Sequence, residues 1–360
     1  MITLAIFVAG LVALIIGASL LVRGASKLAV RLGLSPLVVG LTVVAFGTSA
    51  PEMAVTTGAV LAGQDGLAVG NAVGSNIFNV LFILGLAALL KPLTVNRQVI
   101  RQEVPVMIAG ALLVIVMGLD GGIGAFDTAL LLALLAGYTV ILVQQSRREG
   151  VNNEQDPAPD PAIAPQARWD SRLPMQLLLI AAGLVLLVGG SDALVSSAVA
   201  FARTLGMSEV VIGLTIIAAG TSLPEVAASI AATLKGERDI AVGNVVGSCV
   251  FNLFGVIGVG GAAALLGSGE ALPLPPGLMR FDLWVMLAAQ VACLPIFFTG
   301  REIARWEGAL FLGYYLAYTA YLVLAVGRYQ GAQVLADAML GFVIPLTIVT
   351  LAVTLMRPAR

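Results

Sequence analysis

The sequence contains no histidine. That removes the commonest general base, the commonest transition-metal ligand and the side chain that usually relays protons near neutral pH. Charge is scarce too. Only 11% of the 360 residues are Asp, Glu, Lys or Arg, where a soluble domain carries about a quarter. Two cysteines occur, Cys249 and Cys293, both inside apolar runs. Neither a disulfide framework nor a thiolate metal site is indicated, and no resident cofactor is expected. With 59% hydrophobic residues and a mean hydropathy of +1.02, the composition excludes a soluble enzyme with an enlarged core. The expected surroundings are a lipid bilayer. A formal net charge of −1 gives no reason to expect nucleic acid, and no obligate protein partner is evident.

What is present are apolar runs long enough to cross a ~30 Å hydrocarbon layer. Eleven are legible, at 2–22, 36–62, 67–90, 102–119, 126–144, 174–194, 209–234, 240–266, 282–299, 306–326 and 334–356. The first lacks a basic leader and is too long for a signal segment, so it reads as a spanning helix. A stretch rich in Pro, charge and amide side chains at 145–173 reads as a mobile loop. The expected organisation is a first repeat at 1–146, a cytoplasmic linker at 147–172, a second repeat at 173–327 and an appended helix at 334–356. Basic residues favour the cytoplasmic side of membranes. With the N-terminus outside, every Lys and Arg falls inside except Arg203, Arg280 and Arg328. The expected orientation is therefore N-terminus out, with the C-terminus and linker in the cytoplasm. The shortness of the extramembrane segments suggests a prokaryotic inner membrane.

The chain is duplicated. Shifting it by 173 residues places GLTVVAFGTSAPEMA (40–54) on GLTIIAAGTSLPEVA (213–227), with ten of fifteen positions identical. The same shift places GNAVGSNIFN (70–79) on GNVVGSCVFN (243–252). Later the register slips by seven, and FDTALLLALLAGYT (126–139) resembles WEGALFLGYYLAYT (306–319). Each half holds five spans. Five is odd, so the second half enters the membrane upside down. The expected fold is an all-α integral membrane protein of two inverted-topology five-helix repeats, a ten-helix core, plus the extra C-terminal helix. Inverted repeats are an architecture of secondary transporters.

The two GTSxPE stretches are the chemical centre. Pro51 has no amide hydrogen, so the carbonyl of Gly47 loses its helical partner and the turn opens. Thr48 and Ser49 add hydroxyls and Glu52 a carboxylate, and Thr221, Ser222, Pro224 and Glu225 repeat the set. Carbonyls, hydroxyls and carboxylates are the hard oxygen ligands that Na⁺ and Ca²⁺ take. Gly-Thr-Ser-Pro alone would make a helix kink, but a kink does not account for a mid-membrane carboxylate, which costs at least about 2.5 kcal/mol to insert. In the following span Ser75 and Asn79, like Ser248 and Asn252, are four apart and share a helix face. They are read as completing the ion site. Gly70, Gly74, Gly243 and Gly247 form small-residue faces suited to close helix packing, and Asn71 and Asn244 read as structural. Phe46 is matched by Ala219 and Asn76 by Cys249, so the halves need not be symmetric there.

GLTVVAFGTSAPE with GNAVGSNIFN, repeated as GLTIIAAGTSLPE with GNVVGSCVFN, resembles the paired repeats of the calcium/cation antiporter superfamily. The prokaryotic sodium/calcium exchangers are the nearest branch. The resemblance covers nearly all of residues 1–326. It implies ten core helices, alternating access, and sliding of the first helix of each repeat, here 2–31 and 174–204, across the rest. It implies exchange of Na⁺ for Ca²⁺ at a midplane site. The ligand positions implied in the first repeat are the carbonyl of Ala45, Thr48, Ser49, Glu52, Ser75 and Asn79. Those in the second are the carbonyl of Ala218, Thr221, Ser222, Glu225, Ser248 and Asn252. One departure stands out. Well-known sodium/calcium members carry Asp where this chain has Asn252, which leaves stoichiometry, K⁺ co-transport and the choice between Na⁺ and H⁺ open. A Ca²⁺/H⁺ antiporter is the alternative. A passive cation channel would share oxygen-lined sites but suits an axis along the membrane normal. A membrane-embedded enzyme lacks both a GxSxG-type nucleophile with histidine and an aspartate pair.

Overall fold

The computed structural model describes residues 2–153, 172–204, 218–326 and 331–356. Among them ten helices are long and apolar enough to cross a membrane. In chain order the helices are α1 (Ile2–Leu32), α2 (Pro36–Leu61), α3 (Asp65–Leu90), α4 (Val99–Asp120), α5 (Ala125–Asn153), α6 (Leu173–Thr204), α7 (Leu223–Lys235), α8 (Arg238–Gly267), α9 (Leu278–Phe298), α10 (Arg305–Val326) and α11 (Gly331–Thr350). Helix α7, with the short helical segment Ala218–Gly220 ahead of it, is the described part of the span expected at 209–234, and residues 205–217 lie outside the described residues.

Several boundaries differ from the apolar runs, and α6 reaches Thr204 although its run ends at 194. Helix α1 continues past 22 to Leu32, carrying Arg23, Lys27 and Arg31 on helical backbone. Hydropathy falls there, but nothing breaks the helix before Gly33. That residue sits at φ +62°, while the Leu34 amide donates back to the Ala29 carbonyl at 3.0 Å, a left-handed C-terminal stop. Ser35 then caps α2, its Oγ accepting from the Val38 amide at 3.2 Å, with Pro36 in the first helical position. Helix α5 likewise runs on to Asn153, seven residues into the segment read as linker, and residues 154–171 lie outside the described residues.

The burial pattern suits a bilayer. Large apolar side chains such as Leu4, Val185 and Leu266 face outward, while Thr48, Ser49, Glu52, Asn79, Ser222, Glu225 and Asn252 are wholly enclosed. Helix contact in lipid depends on close van der Waals approach rather than on hydrophobic expulsion, and α1 against α6 shows how this sequence achieves it. Gly10, Gly17 and Gly24 recur every seven residues on α1, and Gly183 and Gly190 on α6. A Cβ at Gly17 would lie 2.8 Å from the Gly183 carbonyl oxygen, and one at Gly10 2.8 Å from that of Gly190. The two helices touch backbone to backbone. Gly243 and Gly247 of α8 approach the carbonyls of Leu37 and Leu41 in the same way.

Four two-residue strands tie the helix ends. Strand β1 (Leu93–Thr94) pairs antiparallel with β4 (Glu302–Ile303), and β2 (Gly122–Ile123) with β3 (Leu272–Pro273). The first pair joins the ends of α3 and α9. The second joins the ends of α4 and α8 on the opposite side of the bundle, because α4 separates β1 from β2. Exchanging the two halves turns one pair into the other, which is the inverted two-fold in backbone form. Helix α11 lies outside this arrangement and meets α10 through a Tyr314 hydroxyl to Thr347 hydroxyl bond of 2.7 Å.

Candidate functional site

The two breaks have the same backbone. Ser49 sits at φ −84°, ψ 3° and Ser222 at φ −90°, ψ 7°, in the sparsely used bridge region where many site residues are found. Pro51 and Pro224 follow within the first turn of the next helical segment. The freed carbonyl of Gly220 is taken by the Ser191 hydroxyl of α6 at 2.6 Å, so the neighbouring helix stabilises that break.

The breaks face each other and exchange hydrogen bonds. The Ser222 hydroxyl donates to Glu52 Oε1 at 2.9 Å, and the Ser49 hydroxyl donates to Glu225 Oε1 at 3.1 Å. Ser222 Oγ also lies 3.1 Å from Ser75 Oγ. Since Ser222 spends its one hydrogen on Glu52, Ser75 is the donor in that contact. The second oxygen of each glutamate, Oε2, has no hydrogen-bond partner among the described residues although it is buried. The same holds for both side-chain amide atoms of Asn79, both of Asn252 and the Ser248 hydroxyl. Buried polar atoms are nearly always paired. Carboxylate, hydroxyl and amide oxygens are the donor types that hard cations take, and the unpaired oxygens of Glu52, Glu225, Asn79, Asn252 and Ser248 are of those types.

The remaining expected ligands have other partners. The Thr48 hydroxyl lies 3.1 Å from Asn244 Oδ1 and 3.3 Å from the Ala45 carbonyl oxygen, which also accepts from the Ser49 amide at 2.9 Å. The Thr221 hydroxyl lies 3.2 Å from Asn71 Oδ1. Ala218 opens the short turn Ala218–Gly220 just before the second break.

Asn71 and Asn244 are the pins of the site. Asn71 Nδ2 donates to the Glu52 carbonyl at 3.3 Å and to Thr56 Oγ1 at 3.2 Å. Asn244 Nδ2 donates to the Glu225 carbonyl at 3.4 Å and to Ser229 Oγ at 2.9 Å. Each asparagine therefore holds the glutamate-bearing turn of its own repeat and, through its oxygen, the threonine of the other. Thr56 and Ser229 escaped the sequence reading. Their signal was there: each follows its glutamate by four residues, and the 173-residue shift superposes them. The asymmetric pair also meets, Cys249 Sγ lying 3.9 Å from the Asn76 carbonyl oxygen. π-helical turns at Phe78–Leu84 and Phe251–Val256 open the helices directly at Asn79 and Asn252, as such turns often do at functional sites.

Comparison with known proteins gives a consistent result. The profile of the sodium/calcium exchanger protein family matches residues 2–144 and 175–324. The chain is 36% identical to the inner membrane protein YrbG of Escherichia coli over 321 residues, covering 88% of this chain and 96% of YrbG. It is 30% identical to the sodium/calcium exchanger MaX1 of Methanosarcina acetivorans over 348 residues, covering 88% of this chain and 97% of MaX1. Among solved structures, the sodium-calcium exchanger NCX_Mj soaked with zero Na⁺ and Ca²⁺ superposes with a TM-score of 0.73 at 29% identity. That match covers 89% of this chain and 98% of the other.

Proposed function

This chain belongs to the sodium/calcium exchanger protein family and is a cation antiporter rather than an enzyme, and from that premise we propose that it exchanges Na⁺ for Ca²⁺ by alternating access at the Glu52–Glu225 site. The observation that carries the reading is the reciprocal pair of serine–glutamate bonds, each leaving one buried carboxylate oxygen without a partner among the described residues. Two carboxylates neutralise one Ca²⁺. Ser49, Ser222, Ser75, Ser248, Asn79 and Asn252 supply further oxygens, and Thr48, Thr221 and the carbonyls of Ala45 and Ala218 line the flanks where Na⁺ is proposed to bind. An empty site leaves two carboxylates in a low-dielectric interior, which disfavours crossing without a counter-ion and couples the fluxes. The distribution of Lys and Arg supports an orientation with the N-terminus outside and the C-terminus in the cytoplasm, and the short extramembrane segments favour an inner membrane.

Proton coupling is the second reading, favoured by Asn252, whose neutral amide leaves two carboxylates in the site. Purified protein in sealed liposomes separates the two. Vesicles loaded with Na⁺ and diluted into Na⁺-free buffer should take up ⁴⁵Ca²⁺, and Glu52→Gln and Glu225→Gln should abolish uptake. Uptake driven by a proton gradient alone would move the chain to Ca²⁺/H⁺ exchange. Uptake that needs no counter-gradient would sink the exchange reading.

A further inference from the structure

The end of the bundle that carries β1 and β4 holds a second polar feature, unrelated to the glutamates. Arg97, Arg101 and Arg301 line one pocket of about 450 Å³, with Ile100 and Phe298 as its apolar wall. Arg97 and Arg101 are four apart at the head of α4, and Arg301 comes from the turn between α9 and α10. All three are exposed, and none has an ion-pair partner among the described residues. The nearest acid along the chain, Glu302, sits in β4 opposite Thr94.

Two observations show that this cluster is built rather than accidental. The turn bearing Arg97 and Arg101 is fixed from within. Asn96 Oδ1 accepts from the Gln98 amide at 2.9 Å, and Gln98 Nε2 donates to Glu103 Oε1 at 2.9 Å. The Tyr138 hydroxyl donates to Glu103 Oε2 at 2.7 Å, and Glu103 is fully buried. The second observation is at Arg301, whose backbone lies at φ +53° and whose carbonyl accepts from the Val95 amide at 2.8 Å. Its two-fold counterpart at the other end of the bundle is Gly121, at φ +104°, whose carbonyl accepts from the Leu274 amide at 2.9 Å. The carbonyl-to-amide bond is the same, although Gly300 before Arg301 is also left-handed at φ +66°, and one end fills the bonded position with glycine, as backbone sterics favour. The other end keeps an arginine there, a strained choice of the kind held for function. The counterparts of Arg97 and Arg101 are Pro276 and Arg280, so the triple cluster exists at one end alone.

We propose that Arg97, Arg101 and Arg301 bind the phosphate of an anionic membrane phospholipid, with Phe298 and Ile100 receiving the first carbons of its acyl chains. Three guanidinium groups around one pocket repel each other until an anion is present, and guanidinium presents paired donors that match phosphate oxygens. The depth fits a headgroup. The pocket lies where spans end, and the exposed rings of Phe298 and Trp306 mark the same level, the usual place of interfacial aromatics.

The test is native mass spectrometry of the purified full chain in detergent, titrated with phosphatidylglycerol, with phosphatidylcholine or with inorganic phosphate. Wild type should retain phosphatidylglycerol in preference to phosphatidylcholine. Affinity should fall about fivefold for each arginine removed, in Arg301→Gly first and in Arg97→Gln with Arg101→Gln added. Arg301→Gly restores the residue that the other end already uses, so it should fold, and an unchanged Ca²⁺-dependent thermal shift checks that it has. Equal retention of phosphatidylglycerol by wild type and the triple variant would overturn the proposal, as would equal retention of the two lipids. Retention of inorganic phosphate without lipid would make this a site for soluble anions and overturn the lipid assignment.

Discussion

The Ser222 hydroxyl meets Glu52 Oε1 at 2.9 Å although 170 residues separate the two in sequence. Its mirror contact, Ser49 to Glu225 Oε1, closes at 3.1 Å. Each carboxylate is thus oriented by the opposite repeat. Ser222→Ala and Ser49→Ala should each weaken Ca²⁺ binding by a similar amount. Hydrogen bonds to charged groups contribute about 1.5–3 kcal/mol, so the expected loss is roughly tenfold or more in apparent Ca²⁺ affinity, read from uptake at graded Ca²⁺. A large loss in one variant with none in the other would contradict a shared site.

Ca²⁺ should stabilise the folded protein. A ligand that binds only the native state adds about 2.7 kcal/mol at a hundredfold excess over its Kd. Unfolding followed by intrinsic fluorescence should therefore shift to higher temperature as Ca²⁺ is added. Glu52→Gln and Glu225→Gln should each unfold cooperatively but lose that dependence. If either variant kept it, the ion would be binding elsewhere.

Asn71 and Asn244 should behave as structural pins, not as ion ligands. Asn244→Ala leaves the Glu225 carbonyl and the hydroxyls of Ser229 and Thr48 without their present partner. Each unpaired buried group costs about 1–3 kcal/mol, so the thermal midpoint should drop in the absence of any ion. Asn71→Ala should do the same through Thr56 and Thr221. An unchanged ion-free midpoint with altered Ca²⁺ affinity would instead make these asparagines ligands.

The asparagine at 252 offers a gain rather than a loss. Both its amide atoms are buried and without a hydrogen-bond partner among the described residues, so Asn252→Asp adds an acceptor and a charge in the buried interior. Divalent affinity rises with the number of charged ligands. The variant should bind Ca²⁺ about tenfold more tightly, a difference of about 1.4 kcal/mol, and should take up more Na⁺ per Ca²⁺ released. Weaker binding would show that the third charge does not face the ion.

The α1–α6 seam should tolerate no side chain. Gly17→Leu would drive a Cβ to within 2.8 Å of the Gly183 carbonyl, whereas Gly137 of α5 has no heavy atom within 4 Å of the same position. Overpacking typically costs about 1–3 kcal/mol. Gly17→Leu should lose folded yield or transport, and Gly137→Leu should retain both.

Much of this molecule was legible because its signals are anomalies in an apolar background. Pro51 and Glu52 stand out in a greasy run, and Pro224 and Glu225 repeat them at a fixed shift. What stayed hidden were contacts that depend on how two inverted helices meet. No spacing rule places Ser222 on Glu52 or Asn244 on Thr48, since both pairs exist only after the halves interlock. The threonine and serine four residues beyond the glutamates went unnoticed, because their partners Asn71 and Asn244 sit on the next span. Strands of two residues, such as Leu93–Thr94, are too short to show any alternation, and the polar end of α1 looked like the end of the helix because hydropathy and helicity are different quantities.

The inverted two-fold has one more consequence. On the exchange proposed above, an ion arriving from either face of the membrane would meet the same wall, a serine, a glutamate and an asparagine from each half. A site built that way contains no valve. On that proposal net direction is dictated by the concentrations and the voltage across the bilayer, and the protein would serve as a reversible gear between two gradients. Any rectification must reside where the copies differ, as at Phe46 against Ala219, Thr56 against Ser229 and Asn76 against Cys249.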